Sequence, residues 1–122
     1  MDAIAQAQRI YAPASTATRT PRSAEYEVIA RITRRLKEAV KSQDKIAMIE
    51  TLHENRVLWS TLAVNVADKD NELPKELRAQ LFYLAEFTDA HTRKVLRNEA
   101  SPVVLLEINV AILRGLKMEG IQ

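Results

Sequence analysis

The sequence predicts an all-α fold: a small bundle of four main helices preceded by a short N-terminal helical arm. Apolar residues recur at helical spacing along every long segment, and β-branched residues nowhere alternate over a full strand length. The chain has 122 residues, of which 47% are apolar, so it can form one domain with its own core. Prolines and capping residues stand between the periodic segments, where helix ends are expected.

Residues 1–19 are predicted to form an arm outside the bundle. Apolar residues between Ala3 and Tyr11 share one face of a helix, but a helix under about 12 residues is marginal in water. The stretch 12–19 is small and polar, which is typical of a flexible linker. The bundle domain is therefore expected to span residues 20–122.

The first two main helices are predicted around a break at residues 42–44. Thr20 and Pro21 suit an N-cap and a first helical position, and the second helix is expected from Lys45 to about Val66. The apolar stripe of the first helix consists of Ile29, Ile32, Leu36, Ala39 and Val40. The stripe of the second consists of Ile49, Leu52, Trp59, Leu62, Ala63 and Val66.

The third and fourth main helices are predicted to begin at Pro74 and Pro102. The third is expected to reach about Asn98, and the fourth to end at Arg114 with Gly115 in a left-handed conformation. The stripe of the third helix is Leu77, Leu81, Leu84, Thr88, His91 and Val95. Three aromatic residues widen this stripe beyond one core-facing side: Phe82, Tyr83 and Phe87.

Composition excludes several classes of site. The chain has no cysteine, so it has no disulfide, thiolate metal site or thiol nucleophile, and its only glycines, Gly115 and Gly120, cannot form a phosphate-binding loop. Two histidines are too few for a His-rich metal site. No apolar run reaches the roughly 20 residues of a membrane span, and no signal-peptide pattern is found. We therefore expect a cytoplasmic protein with no catalytic residues, metal or cofactor and no membrane insertion.

Positive charge is concentrated in the first third of the chain. Residues 1–43 contain eight lysines and arginines against four acids, whereas residues 44–122 contain ten against twelve. Four cations form a basic face on the first main helix: Arg31, Arg34, Arg35 and Lys41. Such a face can follow nucleic-acid phosphates, but it has no aromatic platform beside it, so a solvated helix face is favoured.

The stretch Asn55–Trp59 permits two interpretations. Trp59, the only tryptophan, can fill the core while Arg56 pairs with a carboxylate. Alternatively, the same residues form a protein-binding groove, because Trp and Arg are enriched among residues that dominate interfaces.

Three segments in this order resemble the flagellar biosynthesis regulator FlaF of alphaproteobacteria. They are Asn55–Trp59, Leu73–Arg78 and Leu106–Leu116. Tyr11, the Thr20-Pro21-Arg22 helix start and the stretch Leu81–Phe87 also fit, so the likeness covers nearly the whole chain. The residues at family-like positions include Asn55, Arg56, Trp59, Asn109, Arg114 and Gly115.

The resemblance implies a cytoplasmic, non-enzymatic protein of flagellum assembly. Members of the family promote flagellin synthesis or secretion, are regarded as flagellin chaperones or adaptors to the export apparatus, and act alongside the regulator FlbT. The resemblance supplies no catalytic residue, metal or cofactor.

These implications lead to an expected partner-binding surface for an amphipathic helix of flagellin. Its candidate residues are Asn55, Arg56, Trp59, Leu81, Phe82, Tyr83, Leu84, Phe87 and Asn109. The alternative hypothesis is a post-transcriptional regulator that binds flagellin mRNA through the basic face of the first main helix.

Overall fold

The computed structural model describes residues 21–118, and side chains are described over residues 26–115. Within these bounds the chain forms four helices and no strand, which confirms the predicted all-α class. The helices are α1 (Pro21–Ser42), α2 (Lys45–Ala67), α3 (Lys75–Leu96) and α4 (Val103–Met118). The predicted arm, residues 1–19, and the predicted cap Thr20 lie outside the described residues.

The helices form a bundle with one sparsely packed side. α2 packs against α1 on one side and α3 on the other, and α4 packs mainly against α1. α3 and α4 are joined by the short connection 97–102, yet they contact each other little. Because they meet at that connection and touch little elsewhere, the α3–α4 side is the open side of the bundle.

Local signals set the break between α1 and α2. The Oδ1 atom of Asp44 accepts hydrogen bonds from the backbone N–H groups of Ile46 (3.0 Å) and Ala47 (3.2 Å), which would otherwise be unpaired. Gln43, just after α1, has a φ of 58°, and Asn98, just after α3, has a φ of 62°. Both residues therefore turn the chain in the left-handed conformation that closes many helices.

Arg78 links the two ends of the connection between α2 and α3 by hydrogen bonds. The guanidinium of Arg78 donates from Nε to the carbonyl oxygen of Val66 (2.9 Å) and from Nη2 to that of Asp68 (3.0 Å). These carbonyl groups at the end of α2 have no partner within the helix. Arg78 thus fixes the first turn of α3 against the last turn of α2, while Leu73 in the connection is buried.

Two predictions about these helices are wrong. α4 continues through Gly115 to Met118, because glycine permits a left-handed turn without requiring one and costs only about 1 kcal/mol relative to alanine inside a helix. Ile49 was expected on the core-facing side of α2, but 57% of it is exposed. The buried face of α2 is centred instead on residues such as Asn55 and Leu62.

The core consists of two hydrophobic clusters. The first contains Ile29, Ile32, Leu58, Trp59, Leu62, Val66, Leu73, Leu81 and Ala85. The second contains Leu36, Leu52, Val95 and Leu105. Six polar residues are also buried, and all of them except Thr51 lie along the helices between the two clusters: Thr33, Thr51, Asn55, Thr88, Thr92 and Asn109. The threonine hydroxyls donate to backbone carbonyls of their own helices, as Thr33 does to Ile29 at 2.7 Å, so they are satisfied locally.

The left-handed conformation of Gln43 generates a stability prediction. We expect Gln43→Gly to raise the free energy of unfolding by about 0.5–1 kcal/mol, because glycine removes the Cβ strain but adds freedom to the unfolded chain. Urea unfolding followed by circular dichroism measures this change.

The matched control is Glu38→Gly, at an exposed position inside α1, which should lower the free energy of unfolding by about 1 kcal/mol. A loss of stability in Gln43→Gly as large as that of the control would contradict the assignment of strain to Gln43.

Candidate partner-binding site

A chain of hydrogen bonds crosses the interior of the bundle. The indole Nε1–H of Trp59 donates to Oδ1 of Asn109 at 3.0 Å, and Nδ2 of Asn109 donates to Oδ1 of Asn55 at 2.8 Å. All three residues are buried, with exposed fractions of 3% or less. Because α2 and α4 lie diagonally opposite each other, this chain ties together two helices that are not neighbours.

The expected placement of Asn55, Trp59 and Asn109 on a partner-binding surface is therefore corrected. These residues lie in the interior, where Trp59 packs into the first hydrophobic cluster. The two asparagines can occupy buried helix positions because their side chains hydrogen-bond to each other, and the side-chain oxygen of Asn109 also accepts from the indole N–H. The interpretation of Trp59 as a core residue is confirmed.

Arg56 pairs with a carboxylate, as the interpretation of Trp59 as a core residue also predicted. Its Nε and Nη2 atoms lie 3.1 and 2.8 Å from Oδ1 of Asp89, and the second oxygen of Asp89 accepts from Arg93. Asp89 and Arg93 were not among the predicted site residues, although their separation of four residues places them on one helical face. The Arg56–Asp89 pair holds α2 against α3 at the surface, and the Asp89–Arg93 pair lies within α3.

The candidate partner-binding residues on α3 occupy both buried and exposed positions. Leu81 belongs to the first hydrophobic cluster, and Leu84 packs at its edge while half-buried. The exposed fractions of Phe82, Tyr83 and Phe87 are 38%, 65% and 38%. α3 therefore carries more aromatic surface than the core covers, as the width of its apolar belt predicted.

The exposed aromatic residues lie on two sides of α3. Phe82 and Tyr83 line a shallow groove of about 450 Å³ with Val66, Ala67 and Ala79, near the end of α2. Phe87 lies one turn after Tyr83, on the side of α3 away from Phe82, and its ring stacks on His91 with the ring centroids 5.5 Å apart.

The contacts of His91 show which part of the bundle the Phe87 side of α3 faces. Its Nε2 atom lies 2.8 Å from the carbonyl oxygen of Ser101, just before α4 begins. The Phe87 side of α3 thus faces the open side of the bundle.

The basic face of α1 is exposed and mixed in charge. Arg31, Arg34, Arg35 and Lys41 all lie at the surface. Arg35 is paired with Glu54, its Nη1 atom 2.9 Å from Oε2 of that residue. A groove of about 580 Å³ between α1 and α2 is lined by three of these cations but also by two acids, Glu38 and Glu50.

The described part of the chain shows no metal-binding cluster of three or more His, Cys, Asp or Glu residues. No helix within it is both long enough and apolar enough to cross a membrane.

The buried hydrogen-bond chain generates a second stability prediction. We expect Asn109→Leu, which keeps the branching and the number of side-chain heavy atoms, to lower the free energy of unfolding by at least about 2 kcal/mol, because it leaves the Trp59 N–H and the Asn55 oxygen buried without a partner. Urea unfolding measures this loss of stability. Asn98→Leu, at an exposed position, is not a suitable control because the φ of Asn98 is positive.

The suitable control for that variant is Thr61→Leu, at a partly exposed position of α2 whose hydroxyl donates only to the backbone carbonyl oxygen of Val57 in its own helix. An Asn109→Leu protein as stable as Thr61→Leu would show that the buried chain contributes nothing to stability.

The chain matches a protein family but no individual known protein. No curated protein and no solved structure matches the chain. The model of one family, described as flagellar protein FlaF, matches residues 7–116, which include α1, α2, α3 and all but the last two residues of α4. The match covers most of the chain, and the chain therefore belongs to the flagellar protein FlaF family.

Proposed function

We propose that this FlaF-family protein serves flagellum assembly without catalysing a reaction, by binding an amphipathic helical segment of flagellin on α3. In this role it is a cytoplasmic chaperone or adaptor that promotes flagellin synthesis or secretion, together with FlbT and the export apparatus. The family match supports the link to the flagellum. The observation that carries the proposal is the exposure of Phe82, Tyr83 and Phe87 on one helix.

An amphipathic helix binds a groove through apolar side chains spaced by three or four residues. Tyr83 and Phe87 are one turn apart on α3, and the half-buried Leu84 lies between them in sequence at the edge of the core. The sparse packing between α3 and α4 leaves space next to Phe87. An added helix along this side would bury aromatic surface that water now contacts, which is the main source of affinity in such interfaces.

The surroundings of these aromatic residues suit a protein interface. Charged side chains of Lys75, Arg78 and Glu86 line the groove that contains Phe82 and Tyr83. An apolar centre with a polar rim is the usual anatomy of a specific protein–protein interface. Aromatic residues are also enriched among the few residues that supply most of the binding energy.

Calorimetric titration with purified flagellin tests the proposal. We expect Tyr83→Ser and Phe87→Ser each to weaken binding by about tenfold or more, because each removes an aromatic anchor. Both side chains are exposed, so the fold should be retained, and circular dichroism checks this.

The matched control is Leu96→Ser, which removes an apolar side chain that is 45% exposed at the last residue of α3, and it should bind flagellin as the parent does. Absence of binding by the parent protein, or equal binding by parent and α3 variants, would overturn the proposal.

The alternative, binding of flagellin mRNA by α1, is favoured only by the exposed cations Arg31, Arg34 and Lys41. Glu38, Glu50 and the paired Glu54 reduce the net charge of that surface. The alternative predicts binding to the mRNA that falls steeply with added salt and is lost in Arg31→Glu and Arg34→Glu. That result, with the α3 variants unaffected, would support the alternative instead.

A further inference from the structure

A row of aliphatic side chains lies exposed on the outer face of α2. This α2 stripe consists of Ile46, Ile49, Val57 and Val64, whose exposed fractions are 71%, 57%, 47% and 74%. It is separate from the aromatic residues of α3. The proposed function does not use it.

The α2 stripe makes α2 apolar on both of its faces. The inner face buries Leu52, Leu58, Leu62 and Val66, so the core accounts for that face alone. A helix that is apolar all round is normally covered on all sides, because exposed aliphatic rows favour association. The outer face is thus missing a cover within the described residues.

The spacing of the α2 stripe fits a single facing helix. With His53 and Ser60, the stripe follows positions 46, 49, 53, 57, 60 and 64, and each step is three or four residues. None of these six side chains is an acid, a lysine or an arginine. The row extends over about 27 Å at 1.5 Å per residue. A seam of this period and length is the pattern by which two helices pack along each other.

Charges beside the α2 stripe indicate which helix covers it. On the side of α1, the ion pair Arg35–Glu54 lies near the middle of the stripe. Glu50 lies one turn nearer the start of α2, and Arg31 lies one turn from Arg35 in the opposite direction along the bundle. Neither Glu50 nor Arg31 forms an ion pair with a described residue, and both are exposed. The flank therefore has an acid towards one end and a base towards the other.

We propose that the α2 stripe is covered by the α2 stripe of a second copy of this chain, in a two-fold antiparallel dimer. Antiparallel pairing brings Ile46 and Ile49 of one copy towards Val64 of the other, with Val57 near the axis. It also brings Glu50 of each copy towards Arg31 of the other, so the flanks are complementary in charge. A two-fold interface uses the same patch twice, and this patch complements itself.

The dimer is tested by sedimentation equilibrium of the full chain over a wide concentration range. The parent protein should be dimeric, and Ile49→Glu and Val57→Glu should each weaken dimerisation by about tenfold or more, because each places two charges in an apolar seam. Both residues are exposed in the single chain, so the variants should keep their helix content. The matched control is Tyr83→Glu, which should remain dimeric. The side chain of Tyr83 is 65% exposed and lies on α3, outside the α2 stripe.

A charge exchange makes the test specific for orientation. Glu50→Arg should weaken the dimer, and Glu50→Arg combined with Arg31→Glu should restore it. A parent that is monomeric throughout the range would overturn the proposal, as would a dimer that Ile49→Glu leaves intact. A monomeric parent that loses flagellin binding in Ile49→Glu would show that flagellin, and not a second copy, covers the stripe.

Discussion

The hydrogen-bond chain from Trp59 through Asn109 to Asn55 is the interaction on which the arrangement of the bundle depends. It joins α2 and α4 across the diagonal, between the two hydrophobic clusters. Apolar packing alone would allow α4 to slide or rotate, because hydrophobic contacts are not directional. Nδ2 of Asn55 has no hydrogen-bond partner among the described residues, so the chain adds less stability than a fully paired network. We infer that its main effect is to fix the position of α4.

That position of α4 explains why α3 carries exposed aromatic residues. α4 is held towards α2 through Asn109 and packs on α1, and it contacts α3 little. On its other side α3 is fixed to α2 by Arg56, Asp89 and Arg78. α3 is therefore held in place mainly by α2, and the side of α3 that bears Phe87 stays partly exposed. The same polar contacts that order the interior thus leave an apolar surface for a partner helix.

The sequence was sufficient for the helices but not for the interior polar contacts. Periodicity and capping residues such as Asp44 and Pro74 predicted the four helices within a few residues, since these signals act within one or two turns. Asn55 and Asn109 are 54 residues apart, and no local pattern shows that each is the other's partner. Both asparagines occupy family-like positions, and such positions alone do not show whether a polar side chain in a helix faces solvent or the interior. The width of the α3 belt, a local property, did predict exposed aromatic residues.

Hydrogen exchange of the Trp59 indole proton tests the central claim most directly. The chain has one tryptophan, so the indole N–H gives a single resonance in a two-dimensional spectrum. A proton that donates to Asn109 in a buried site exchanges only when the bundle opens, and we expect exchange as slow as that of the most protected amides of α2. Exchange at the rate of a free indole in the folded protein would contradict the account, because it would place Trp59 outside the hydrogen-bonded interior.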